Sequence, residues 1–145
     1  YDFYEPRTIH ESSLSPAIHS ILAAELDKMD EAVSFFGYAT RLDLDNYNRN
    51  TREGLHITSI AMAWANIVYG FAGLRSDGEL LRFAPRLPAR WKQLSFSVMY
   101  RGRVIAICMD AEKTSFRLTK GAPLTVQIYG KEMQLDQQEL LAPKL

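Results

Sequence analysis

Residues 8–16 hold the densest set of reactive side chains in this chain, and they lead directly into an expected helix. Their sequence is Thr-Ile-His-Glu-Ser-Ser-Leu-Ser-Pro. The first turn of a helix offers free backbone N–H groups and the positive end of the helix dipole, and both favour a bound anion. The hydroxyl groups of Ser12 and Ser13 could add direct donors to such an anion. A serine at this place could instead cap the helix, so both interpretations stay open.

A second polar segment lies at the start of a later expected helix. Residues 52–58 read Arg-Glu-Gly-Leu-His-Ile-Thr, in which Gly54 permits an unusual backbone turn and His56 begins the helix. An imidazole at this position can donate a hydrogen bond to an anionic oxygen. Because the helix dipole disfavours the cationic ring, we expect a neutral donor. The alternative is a His56 that bonds to a neighbouring carbonyl group.

The sequence offers little for other kinds of catalytic site. The three histidines have no close metal-ligand spacing, so no metal is expected, and the single cysteine, Cys108, lies in an apolar run that predicts a buried strand. The Gly-x-Ser-x-Gly pattern of a serine nucleophile is absent. Glu11 and Glu53 are the carboxylates nearest the two polar segments. Nothing in the sequence shows that they face each other across a scissile bond, so surface or capping roles are the alternative.

Apolar periodicity predicts the helices that position both segments. Residues 14–26 and 29–42 repeat apolar side chains at helical spacing, which predicts two antiparallel helices joined by a short turn. Residues 43–53 are polar and aperiodic, which indicates a loop. Residues 55–71 are apolar around most of the circumference, as is typical of a helix buried on nearly all sides. Three helices cover such a helix only in part, so we expect further helices upstream of Tyr1.

The period changes to 2 in the second half of the chain. Residues 93–100 alternate apolar and polar side chains and precede a tight turn at Arg101-Gly102, and shorter strands are expected up to residue 129. Two prolines in residues 83–91 exclude a continuous helix or central strand and indicate a structured joint. The sequence therefore predicts an α + β chain. Its helical domain covers residues 1–72, and its β domain, residues 73–145, is a meander of five or six strands in an incomplete sheet.

Composition narrows the class of protein. The 145 residues are 47% hydrophobic, which is enough for one sizeable core or two small ones. Because 17 Lys and Arg residues balance 17 Asp and Glu residues, no net field holds a nucleic acid or an anionic membrane. No apolar stretch approaches the roughly 20 residues of a membrane span, and the lone cysteine fits a reducing cytoplasm. The opening Tyr-Asp-Phe-Tyr indicates either preceding chain or a trimmed start.

Five segments resemble the maltose phosphorylase family, which is glycoside hydrolase family 65. The resemblance runs from Tyr1 to about Gly130 and is specific for the family, whereas relatives that act on maltose, trehalose, kojibiose and nigerose share the segments. Its residues are 8–15 (TIHESSLS), 41–46 (RLDLDN), 53–59 (EGLHITS), 68–75 (VYGFAGLR) and 83–88 (FAPRLP).

The resemblance implies both a fold and an activity. The fold is an (α/α)6 barrel, of which residues 1–72 would be the last helices, followed by a small antiparallel β-sandwich-like C-terminal domain. The activity is phosphorolysis of an α-glucosidic bond, with inversion, to give β-glucose 1-phosphate. No cofactor is implied. The implied partners are a disaccharide, inorganic phosphate, the rest of the same enzyme upstream and a second copy in a homodimer.

By the same resemblance, Ser12, Ser13 and His56 match the positions that contact phosphate, and Gly54 lets the backbone approach the same pocket. We call these four residues the phosphate cradle. The family's general acid, a glutamate of an earlier barrel loop, has no counterpart here, so we expect no catalytic residue and no turnover from this chain alone. Two rivals stay open: a related hydrolase, which needs a carboxylate where the cradle lies, and a non-catalytic carbohydrate-binding β module.

Overall fold

The computed structural model describes residues 1–143, which form two compact units. A helical unit covers Tyr1–Phe71, and a β unit begins at Ala72. The helical unit contains three α-helices, two short 3-10 turns and a π-helical segment. Their bounds are Glu5–Arg7 (3-10), Ser15–Glu25 (α1), Met29–Arg41 (α2), Thr51–Glu53 (3-10), Ile57–Ala65 (α3) and Asn66–Phe71 (π). In the part of the chain that is described, no helix has the length and apolar character needed to cross a bilayer.

Helices α1 and α2 form the expected antiparallel hairpin. Several small side chains of the two helices, among them Ala17, Ala24 and Ala32, are fully buried. Small side chains let two helix backbones approach closely. The Ser20 hydroxyl uses that proximity, because it donates a hydrogen bond of 2.8 Å to the Ala32 carbonyl across the hairpin. The prediction of two helices joined by a short turn is confirmed.

Helix α3 is shorter than the continuous helix expected over residues 55–71. It ends at Ala65 and the chain continues as a π-helical segment, where the buried Asn66 amide donates to the Ala17 carbonyl at 2.7 Å. Within the described residues, the helix is covered only in part, as expected of a bundle of three helices. Ile57, Ile60 and Trp64 are 67%, 53% and 55% exposed, so one apolar face of α3 stays uncovered.

The β unit contains seven strands within the described residues, arranged in two sheets. The larger sheet has the order β2-β3-β4-β7 and is antiparallel, whereas the smaller has the order β1-β5-β6, with β1 parallel to β5. The strand bounds are Leu81–Phe83 (β1), Gln93–Tyr100 (β2), Arg103–Asp110 (β3), Thr114–Lys120 (β4), Leu124–Ile128 (β5), Lys131–Leu135 (β6) and Leu140–Leu141 (β7).

The expected single meander is therefore correct only for β2 to β4. The chain then leaves the larger sheet, forms β5 and β6 in the smaller one, and returns as β7. The sequence missed β1 and β7 because they are only three and two residues long, too short to show a period. It missed β6 because four of its residues are polar or half-exposed.

The inner faces of the two sheets form one apolar core. Ile107, Phe116, Val126 and Ile128 are fully buried, and the rings of Phe83 and Phe116 lie 5.0 Å apart between centroids. The sandwich-like fold is thus confirmed. The expectation of an incomplete sheet is wrong for the described residues, because the smaller sheet covers the inner face of the larger.

Alternation along β3 also corrects the expectation for Cys108. Ile107 and Met109 point into the core, so Cys108 lies on the opposite face, where it is half-exposed and accepts a hydrogen bond from the Gln93 amide at 3.3 Å. The tight turn before β3 is confirmed: Arg101 and Gly102 have φ angles of 47° and 75°, as a two-residue hairpin loop requires.

Candidate anion-binding site

The serine pair lies in the turns that precede α1. The N-cap residue of this helix is Leu14, and no side chain caps it, so the capping alternative for Ser12 and Ser13 is wrong. The Ser12 oxygen accepts a hydrogen bond of 3.3 Å from the Leu14 N–H, which leaves the Ser12 hydroxyl hydrogen available to another acceptor. Ser12 is exposed and Ser13 is half-buried.

Contacts of His10 hold this run of residues against the helices. Nδ1 of His10 lies 2.8 Å from the Ser15 hydroxyl, and its ring packs edge-on against His19 and tilted against Phe35. Nε2 of His10 lies 3.7 Å from a carboxylate oxygen of Glu5. His10 therefore has a packing role, and the serines two and three positions further along are displayed beside it.

Gly54 makes the turn that leads into α3. Its φ of 133° and ψ of 177° lie in a region that residues with a side chain rarely adopt. Its N–H donates to the Thr51 carbonyl at 3.2 Å, which closes the preceding 3-10 turn. A Cβ at this position would meet no atom within 4 Å, so the glycine is required for its backbone angles and the space beside it is open.

His56 is anchored by a residue that the sequence did not single out, Asp43. Nδ1 of the ring lies 2.5 Å from Asp43 Oδ1, and the His56 backbone N–H donates to Asp43 Oδ2 at 2.8 Å. The two side chains are 19% and 14% exposed. The hydrogen bond from the imidazole holds the pKa of the Asp43 carboxyl below its usual value. The alternative in which His56 bonds to a carbonyl group is therefore wrong.

The Asp43 contact also corrects the expectation that a neutral His56 would be a donor. A carboxylate only accepts hydrogen bonds, so Nδ1 carries the ring hydrogen and Nε2 of the neutral ring is an acceptor. Nε2 bonds to none of the described residues, and it is not among the buried polar atoms that lack a partner. It is therefore open to a ligand. To donate to an anion, the ring must first be protonated.

The structure joins the two polar segments through their loops. The side-chain amide of Asn48, in the loop that starts at Asp43, donates to the Glu11 carbonyl at 3.2 Å, and Glu11 directly precedes Ser12. Among residues 1–143, no hydrogen bond links either serine to His56. Glu11 and Glu53 are both exposed. The role of the cradle in holding phosphate stays a prediction.

Sequence comparison identifies the protein family of this chain. Residues 1–65 match the glycosyl hydrolase family 65 central catalytic domain, and residues 74–135 match the C-terminal domain of the same family. The chain belongs to glycosyl hydrolase family 65. This membership confirms the resemblance stated above.

Relatives in family 65 include phosphorylases with different substrates. The maltose phosphorylase of Bacillus subtilis is 50% identical over 93% of this chain, and the alpha,alpha-trehalose phosphorylase of Thermoanaerobacter brockii is 44% identical over 97%. The chain spans 18% of the length of each. A solved structure from the human microbiome, provisionally assigned as a kojibiose phosphorylase, superposes with a TM-score of 0.89 at 42% identity; the match covers the whole chain and 22% of that structure. Family 65 membership therefore does not identify a disaccharide substrate.

The β unit of this family 65 chain has a groove of its own on the outer face of the larger sheet. Polar and apolar side chains line it, among them Ser95, Ser97, Cys108 and Phe96. At one end, Lys113 pairs with Glu139 at 3.3 Å, and hydrogen bonds from Ser115 and Lys113 keep the pKa of Glu139 low. The groove has a charged rim and no histidine, so it lacks the combination found at the start of α3.

Proposed function

We propose that this chain supplies the phosphate cradle of an inverting disaccharide phosphorylase. The enzyme would cleave the α-glucosidic bond of maltose with inorganic phosphate to give β-glucose 1-phosphate and glucose. The observation that carries the proposal is the anchored imidazole: Asp43 fixes the ring of His56 and leaves Nε2 open at the start of a helix. Maltose is the proposed substrate because the maltose phosphorylase of Bacillus subtilis is 50% identical to this chain.

The chemistry of phosphorolysis suits such a site. An inverting hydrolase needs a carboxylate to deprotonate water, whereas phosphate arrives already anionic and nucleophilic. The cradle then has to hold and orient the anion on the face opposite the leaving sugar, which reduces the entropy cost of aligning a third reactant. The hydroxyls of Ser12 and Ser13 donate to phosphate oxygens, the open backbone at Gly54 admits the anion, and His56 contacts it through Nε2.

The proposed reaction needs no cofactor beyond its two substrates, the disaccharide and inorganic phosphate. The general acid would be a glutamate of the larger enzyme, and that enzyme would work as a homodimer. Because the proton donor and most of the sugar pocket lie outside these residues, we expect the 145-residue chain alone to be inactive. The cytoplasmic location also remains a prediction.

A hybrid enzyme provides the test. In it, this chain replaces the matching segment of the Bacillus subtilis maltose phosphorylase, and the KM values for phosphate and for maltose are measured separately. We expect Ser13→Ala and His56→Ala each to raise the KM for phosphate about tenfold or more, because each removes a hydrogen bond to a charged group, and to change the KM for maltose much less.

Ser97→Ala, on the exposed face of β2, is the matched control and should change neither constant. Equal effects of the cradle substitutions on both substrates would contradict the cradle. Phosphate-dependent release of glucose from maltose by the isolated chain would contradict the assignment of the general acid. Hydrolysis without phosphate would favour the hydrolase alternative, and sugar binding that needs only the β unit would favour the carbohydrate-binding module.

A further inference from the structure

The two oxygens of Asp43 accept from different donors of the same residue. Oδ2 accepts from the His56 backbone N–H at 2.8 Å, and Oδ1 faces ring Nδ1 at 2.5 Å. Both donors belong to His56, so the carboxylate fixes the position of the ring and also the nitrogen that carries the hydrogen. With the hydrogen on Nδ1, the neutral ring presents a lone pair at Nε2.

A lone pair at Nε2 distinguishes two anions of similar shape and equal charge. The hydrogen phosphate dianion has a P–O–H group that can donate to Nε2, whereas the sulfate dianion has no hydrogen to donate. A sulfate oxygen is therefore repelled by the lone pair unless the ring first takes a proton from solvent. We propose that Asp43 is a positioning residue that holds His56 as an acceptor, and that the pair selects hydrogen phosphate over sulfate. This inference rests on the proposed function, because it takes the cradle as the phosphate site.

Asp43 is the ionic partner of His56, and the other charged groups nearby have other partners or are exposed. Helix α3 contains no charged residue in Ile57–Ala65. At the end of α2, Arg41 is occupied by a two-point ion pair with Asp45, at 2.6 and 2.8 Å. The other titratable groups of the loop between α2 and α3 are the exposed Tyr47, Arg49, Arg52 and Glu53. On the segment before α1 and on α1 itself, Glu11 is exposed, and His10 and His19 both contact Ser15.

The substitution Asp43→Asn should reverse the ring tautomer. The His56 backbone N–H needs an acceptor, so the amide oxygen of the variant takes the place of Oδ2 and its NH2 group faces Nδ1. The ring hydrogen then moves to Nε2, as happens when an asparagine replaces the aspartate behind a catalytic histidine. In the variant, the exposed Nε2–H group donates a hydrogen bond to sulfate and to phosphate alike.

The tautomer can be measured on the 145-residue chain itself, by nitrogen-15 NMR of its histidine side chains. We expect the Nδ1–H form of His56 at alkaline pH and the Nε2–H form in Asp43→Asn. Asp45→Asn is the matched control, because Asp45 pairs with Arg41 and not with His56; it should leave the tautomer unchanged. The same tautomer in the chain and in Asp43→Asn would overturn the inference.

Selectivity is measured on the hybrid enzyme by calorimetric titration with inorganic phosphate and with sodium sulfate between pH 7 and pH 9. We expect a preference for phosphate of about tenfold or more, the size of one unpaired polar contact. In Asp43→Asn it should fall to within about threefold at all pH values, whereas Asp45→Asn should keep it.

The two proposals fail in different ways. If His56→Ala weakens phosphate binding but Asp43→Asn leaves the phosphate-to-sulfate ratio unchanged, the proposed function stands and the selection by Asp43 is wrong. If His56→Ala leaves phosphate affinity unchanged, the cradle itself is wrong and the inference falls with it, whatever tautomer the NMR experiment finds.

Discussion

The helical unit and the β unit bury different kinds of side chain. Among the largest fully buried side chains of residues 1–143, only Phe71 and Val68 belong to the helical unit, and the others lie in the two sheets. Conversely, the exposed large apolar side chains of the same residues all lie in the helical unit except Met99 and Leu141. The β unit has therefore closed its core with its own strands. The core of the helical unit consists largely of alanines and buried polar side chains. The same unit contains the candidate anion-binding residues.

This difference shows where stability and function reside. A closed apolar core tolerates little change in volume and supplies most of the stability of a small unit. The helical unit instead depends on a few side-chain hydrogen bonds to the backbone, from Ser20, Ser59 and Asn66, to hold its helices in place. The same unit displays Ser12, Ser13 and His56 on turns and helix starts rather than inside a core.

The largest expected effect comes from the core of the β unit. Phe116→Ala should lower the free energy of unfolding of this unit by about 3–5 kcal/mol, because it removes a fully buried ring that packs on Phe83. Hydrogen exchange of the β3 amides under native conditions measures the change. Met99→Ala removes a side chain that is 79% exposed and should change the value by less than about 0.5 kcal/mol. Similar losses in both variants would contradict a closed core.

A smaller effect is expected from a buried polar contact of the helical unit. Asn66→Ala removes a buried donor to the Ala17 carbonyl, which keeps its hydrogen bond within α1, and should cost about 0.5–1.5 kcal/mol. Exchange of the α1 amides provides the measurement. The control is Asn48→Ala, whose amide also donates to a carbonyl, that of Glu11, but at the surface. If the two losses are equal, the helical unit does not depend on buried hydrogen bonds in the way described above.

The smallest effect is a dependence on acid at the start of α3. The pKa of Asp43 is lowered by its hydrogen bonds with His56, so ionised Asp43 stabilises the folded state. This stabilisation is complete above the unfolded pKa of about 3.9 and is lost as pH falls through the lower folded pKa. We expect acid to loosen the first turn of α3, as measured by exchange of the Ser59 and Ile60 amides.

Asp43→Asn should remove this dependence on acid, whereas Asp45→Asn should retain it at α3. The pKa of Asp45 is also lowered, but by Arg41 on the preceding helix, so its protonation loosens a different contact. An acid response at α3 that survives Asp43→Asn would show that another group is responsible.

Local sequence determined much of this protein. The helical stripes gave α1 and α2 to within two residues at each end, and alternation with the Arg101-Gly102 turn gave the β2-β3 hairpin, because both patterns depend on neighbours within a few positions. Ser12, Ser13, Gly54 and His56 were recognisable for the same reason, since each lies beside a helix start that the sequence signals.

Tertiary structure alone decided the rest. Pairing of β1 with β5 joins strands about 45 residues apart, and no local period encodes such a partner. Likewise, Asp43 was one of several acidic and amide residues in an aperiodic loop, and only the fold brings it to the His56 ring. That contact reverses the expected character of the imidazole, because the nitrogen that carries the hydrogen is set by a carboxylate 13 residues away in sequence and not by the helix that follows.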